Sequence, residues 1–193
     1  MADTTPSKVR FGLKKAYFAV YDEAAKKYEA PWANPGAEAL DVSSGNADKQ
    51  IINADDRIFY SKAGAGSKQL DLTVTRFSRD FYTKILGQTI DPTTGGLLES
   101  PDDIGKTFAF MFEVGGDQGA FRVCYFGCTS TVPTYSAGTN TDSSITESAE
   151  KATLSASAVT INGKACTVVT CEPGDAGYDK FFTAVPLPGT ASA

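Results

Sequence analysis

No histidine occurs anywhere in the 193 residues. That absence removes Ser-His-Asp and Cys-His nucleophile systems, His-ligated metals and the commonest general base. Long apolar runs are missing too. The longest, Ala16 to Tyr21, is far too short to cross a bilayer, and Met1 to Arg10 lacks the apolar core of a signal peptide, so a protein made and kept in a cytoplasm is expected. Nor is there an excess of positive charge: the formal net charge is −5 and the pI about 4.8. Gripping a nucleic-acid backbone needs clustered Lys and Arg, so a nucleic-acid reader is not expected. A mildly acidic surface still suits lying near DNA without adhering to it.

What remains is an ordinary folding composition, 41% hydrophobic and 21% charged, with twelve Phe and eight Tyr beside the single Trp32. The length fits one domain over 1–193, with flexible ends of about ten residues at the start and about eight at the finish. Without histidine, a pair of carboxylates is the remaining acid and base option, and Asp55-Asp56, Asp102-Asp103 and Glu113 are its candidates. Adjacent Asp pairs in loops are far more often solvated or capping groups. Glu113 sits inside a very apolar strand, where an outward-facing position or a subunit contact is the expected reason for an acid. The chain is therefore expected not to be an enzyme.

Two further patterns are weak. Cys124 and Cys128 lie on one strand and Cys166 and Cys171 on another, without the tight knuckle of a structural zinc site, so four free core thiols are expected. Gly64-Ala65-Gly66-Ser67-Lys68 lacks the Gly-Lys-Ser/Thr order of a phosphate loop and reads as a flexible tip. Gly115 to Gly119 reads as a hairpin turn rather than a calcium or anion loop. No cofactor and no metal are expected.

Along the chain, Gly12 to Tyr21 and Tyr28 to Trp32 form a predicted hairpin around a charged turn, and Ala37 to Val42 is extended. Ser43 to Ser67, rich in Gly, Asn, Asp and Lys, reads as a long functional loop. Leu70, Leu72 and Val74 alternate with Asp71, Thr73 and Thr75, which places one face on a core and a polar face on solvent or an enclosed aqueous space. Ser78 is positioned to cap a short helix in which Phe81 and Ile85 share a face and which Gly87 ends. Phe108, Phe110, Phe112 and Val114 form an apolar stripe, and Ala109 and Met111 make the other face apolar too, so this strand is expected to be central. Phe121, Val123 and Tyr125 return beside it. Pro133 to Glu147 reads as a polar loop, and Thr153 to Ile161 with Ala165 to Cys171 as a hairpin about Asn162-Gly163.

Several of these stretches together resemble the major tail protein, or tail tube protein, family of long-tailed bacteriophages with non-contractile tails. The resemblance runs through Phe11-Gly12-Leu13-Lys14 with Tyr17 and Ala19, Pro35-Gly36-Ala37 with Leu40, Ala54-Asp55 with Phe59-Tyr60, and Phe81 to Gly87. It continues through Asp91, Gly96 to Glu99, Phe108 to Glu113, Arg122 to Tyr125, Cys128, Pro133, Thr139 and Thr146-Glu147, covering roughly residues 11 to 161. Thr131-Val132 departs from the more basic pair of the family at that place.

The resemblance implies a mainly β fold, a sandwich or barrel of two packed sheets with one short flanking helix and long assembly loops. It implies a virion component that forms homohexameric rings, stacked into a hollow tube that conducts the genome to the host. It also implies partnership with a tape-measure protein, a tail terminator and a distal tail protein, with DNA passing through unbound and no membrane contact. On it, Asp48, Lys49, Gln50, Asp55, Asp56, Arg57 and Lys62 would belong to a loop reaching the next ring, and Asp71, Thr73 and Thr75 would face the lumen. The alternative is a monomeric β-sandwich binding module, using Trp32 and exposed Tyr to bind carbohydrate or decorate a virion.

Overall fold

Alternating apolar residues build strands, and the strands follow where that alternation is cleanest. The computed structural model describes residues 9–44, 49–54, 57–63, 67–117, 119–139 and 148–189. In chain order these form β1 (Arg10–Asp22), β2 (Lys27–Tyr28), β3 (Trp32–Ala33), β4 (Ala37–Ser44), β5 (Lys49–Ala54), β6 (Arg57–Ala63) and β7 (Lys68–Val74). After a helical turn at Phe81–Ile85 come β8 (Thr89–Ile90), β9 (Leu97–Leu98), β10 (Phe108–Gly116), β11 (Phe121–Ser130), β12 (Thr134–Tyr135), β13 (Glu150–Ala156), β14 (Val159–Ile161), β15 (Lys164–Cys166) and β16 (Val168–Cys171).

The main sheet runs β2-β1-β10-β11-β13-β7-β4, all antiparallel, and it turns a corner at β11. The first half of β11 pairs with β16 through Arg122↔Cys171 and Tyr125↔Val168, whereas the second half pairs with β13 through Cys128↔Ala156 and Ser130↔Leu154. Gly127 lies between the halves at φ 56°, a left-handed conformation that a side chain resists. β11 thus belongs to two sheets, one of β16, β11, β10 and β1, the other of β11, β13, β7 and β4. The predicted mainly β, two-sheet architecture is what the chain adopts.

Between the sheets lies the main core. Phe18, Phe108 and Phe110 from the first sheet meet Leu70, Leu72, Val74 and Leu154 from the second, all fully buried. Phe81 and Ile85 close one end, with the Phe81 ring edge-on to Phe18 at 5.1 Å. Burial of this many large side chains, each contributing about 1.5–3 kcal/mol, is what offsets the entropy of ordering the strands. The central position predicted for Phe108 to Val114 follows from its second face: Ala109 and Met111, with Ala19, Cys124 and Phe126, form a separate buried cluster. That cluster is covered by irregular chain carrying Phe181, Phe182 and Val185, and by β14 and β15.

Four expectations need correction. Ser43 to Ser67 is not a plain loop, since β5 and β6 pair as a hairpin from Lys49↔Ala63 to Ala54↔Arg57. β4 and β7 pair from Ala37↔Val74 to Ser44↔Lys68 with a shift between Ala37 and Ala39, and β5 and β6 form a two-stranded sheet of their own, an arm with a shift between Ile52 and Asn53. Thr153 to Cys171 is not one hairpin either: Asn162 and Gly163 make the expected turn with φ 51° and 79°, but it joins only β14 and β15, while β13 crosses to β7. Cys166 and Cys171 accordingly lie on different strands. Finally, Phe81–Ile85 is a widened turn in which the Leu86 N–H donates to the Phe81 carbonyl at 3.2 Å, and no side chain caps it. The Ser78 hydroxyl is buried without a hydrogen-bond partner, and its N–H donates to Asn34 Oδ1 at 2.7 Å.

Candidate assembly surfaces

The second sheet presents an outer face of mostly polar side chains. In β7 Leu70, Leu72 and Val74 point into the core, so Gln69, Asp71 and Thr73 point out. Register places Asp41, Asp71 and Thr153 in one row across β4, β7 and β13, with Ser43, Gln69 and Ser155 in the next and Ala39, Thr73 and Lys151 on the other side. The Thr153 hydroxyl donates to Asp71 Oδ1 at 2.6 Å. Thr75 is exposed just past the end of β7, where its hydroxyl donates to Glu38 Oε1 at 3.1 Å. Asp71, Thr73 and Thr75 therefore do share one face. Asp41 stands directly opposite Asp71, a like-charge pair that weakens a sheet by a few tenths of a kcal/mol or more.

On its far side β4 pairs with no other described strand, so it is an open sheet edge. The arm leads off from this edge and from β7. Of the residues expected in the assembly loop, Lys49 and Gln50 lie on β5 and Arg57 and Lys62 on β6, with Gln50 directly across from Lys62 and Ala54 from Arg57. Asp48, Asp55 and Asp56 lie outside the described residues, as do Gly64 to Gly66 and 140–147.

Glu113 is 6% exposed and is not outward-facing. Its Oε2 accepts hydrogen bonds from Lys15 Nζ and Arg122 Nε, each at 2.9 Å. Burial pushes its carboxyl upward, but hydrogen bonds and positive charge from Lys15 and Arg122 outweigh that and hold it below the ordinary carboxylate range. Arg122 also donates to the Tyr178 carbonyl and lies 3.8 Å over the Tyr178 ring. The triad is thus the seam that fixes the C-terminal segment to β10 and β11. The sequence reading missed this segment, although the Tyr178, Phe181 and Phe182 aromatics were its visible signal.

All four cysteines are free, and burial raises the Cys128 thiol to about 12. Among the described residues no group of three or more His, Cys, Asp or Glu is placed to hold a metal. Trp32 packs against Phe18 with its Nε1 buried, and Tyr135 is exposed. Asp102 and Asp103 lie in the loop before β10, where Asp103 Oδ2 accepts the Ser100 N–H at 2.8 Å as an ordinary turn cap.

No family model matches the chain. No curated protein matches it either. Among solved structures it is similar to a chain of the sheath-tube complex of an extracellular contractile injection system, PVC, in the extended state: 12% identity, 85% of this chain and 93% of that chain covered, TM-score 0.43.

Proposed function

We propose that this chain is a structural subunit of a phage tail tube, of the long-tailed, non-contractile kind, working by self-assembly and not by catalysis. Homohexameric rings stack into a tube that carries the genome from capsid to host, in a virion whose tape-measure, terminator and distal tail proteins are its partners. The observation that carries the reading is the second sheet. Its inner side chains fill the core, its outer side chains are mostly polar, and it ends in β4, which pairs with no other described strand on its far side. Edge-to-edge joining of such sheets between copies satisfies the open edge and turns the polar face toward an enclosed channel.

The arm supplies the test. Replacing residues 47–65 by an Asn-Gly turn leaves β4 and β7 joined in register and the core untouched. The shortened chain should unfold within a few degrees of the parent, yet form no tubes under negative-stain electron microscopy where the parent does. Tubes of normal length from the shortened chain would remove the arm from assembly.

A further inference from the structure

The two ends of the first sheet carry complementary surfaces. At the end where Arg10 faces Gly116, the sheets splay into an open apolar mouth of about 610 Å³. Phe112 and Val123 form its floor, and Phe11, Val42 and Val168 stand exposed at its rim, Phe11 by 58%. Among the described residues the charges lining it are Arg10, stacked over Phe121 at 4.3 Å, and Lys68, whose Nζ donates to Ser44 Oγ at 2.7 Å, and no acid lines it.

At the opposite end, just before Phe108 faces Val20, the loop 99–106 projects Ile104, 81% exposed, the most exposed large apolar residue described. Leu98, on β9, is exposed as well. Glu99, Asp102 and Asp103 flank these residues, with Lys106 as the sole base of the loop. The loop is pre-formed: the Asp103 N–H donates to the Ser100 carbonyl at 3.1 Å, the Asp102 N–H to Ser100 Oγ at 3.2 Å, and the Lys106 N–H to the Ile85 carbonyl at 2.7 Å. Little ordering cost then remains for binding.

We infer that the mouth receives the 99–106 loop of a second copy of this chain, with Ile104 in the apolar floor and Asp102 and Asp103 against Arg10 and Lys68. An acid-flanked apolar knob matches a base-rimmed apolar mouth in both character and charge. Because knob and mouth sit at opposite ends of one chain, roughly the 30 Å length of β10 apart, the contact is heterologous and joins copies head to tail. It deepens the tube reading, on which its biological meaning rests, by naming an axial contact distinct from the arm.

The experiment places the photo-crosslinker benzoylphenylalanine at position 104 of the full chain and maps the products by mass spectrometry. Intermolecular cross-links to peptides carrying Phe11, Val42 or Val168 are expected. Reversing Arg10→Glu with Lys68→Glu should cut their yield by about tenfold or more, the equivalent of roughly 1.4 kcal/mol, and adding Asp102→Lys, which leaves the Asp103 cap of the loop in place, should restore much of it. Cross-links confined to other surfaces, or no intermolecular product at any soluble concentration, overturn the contact. Tubes of the parent seen by microscopy together with cross-links elsewhere would sink this inference and leave the tube reading standing; mouth cross-links with no tubes would do the reverse.

Discussion

Glu113 shows how one residue can be anomalous in sequence and ordinary in structure. An acid between Phe112 and Val114 invites a surface or subunit explanation, yet its partners come from 98 and 9 residues away. Lys15 reaches it from a left-handed position, φ 55°, within an irregular stretch of β1 between Lys14 and Tyr17. No local pattern announces such a contact. A carboxyl whose folded pKa is depressed contributes stability above its unfolded value of about 4.3 and loses it as pH falls through the folded value. Glu113→Gln should therefore lower stability at pH 7 by about 2–4 kcal/mol, because it leaves Arg122, only 14% exposed, without its counter-charge. The gap to the parent should shrink below about pH 4. Equal losses at pH 7 and pH 3 in thermal melts would show that packing, not charge, is at stake.

At the scale of elements, what the sequence revealed depended on whether a segment has two faces or one. β7 and β10 were legible because alternation and double-sided burial are written in their residue order. The arm was not, because the pairing of Gln50 with Lys62 and Ile52 with Tyr60 joins segments set among Gly, Asn and Asp that resemble loop. The C-terminal cover was not legible because it buries Phe181 and Val185 from irregular turns that have no period. The corner at Gly127 did leave a signal, an isolated glycine within an apolar strand. A Cβ there would stand 2.7 Å from the Ser157 carbonyl oxygen and 2.7 Å from Val159 Cγ1, at φ 56°; at Gly163, φ 79°, it would meet nothing within 4 Å. Gly163→Ala should cost only the left-handed backbone term, about 1–2 kcal/mol. Gly127→Ala should cost at least about 2 kcal/mol more, since the corner itself must shift. Equal denaturation midpoints for the two variants would mean that β11 turns between the sheets without needing the glycine.

For the whole molecule, the tube reading makes the outer face of the second sheet the wall past which DNA moves, and its charge then has a physical duty. Asp41 and Asp71 stand side by side there, a pairing that costs the isolated subunit stability and is not relieved by a described base directly across either residue. Like-charge repulsion along a channel keeps a polyanion from adhering, whereas each Lys placed on the wall adds a phosphate contact and a salt-dependent term to binding. Asp41→Lys with Asp71→Lys should therefore leave the core and the tube's diameter unchanged, because both residues point away from the hydrophobic cluster. The altered tubes should retain short duplex DNA at low salt and release it steeply as salt rises, while parent tubes retain none. The check is filter retention of labelled duplex on assembled tubes across a salt series, with microscopy confirming that the tubes are intact. If altered and parent tubes retain DNA equally, this face does not line the channel, and the first sheet's C-terminal cover becomes the surface to reverse next.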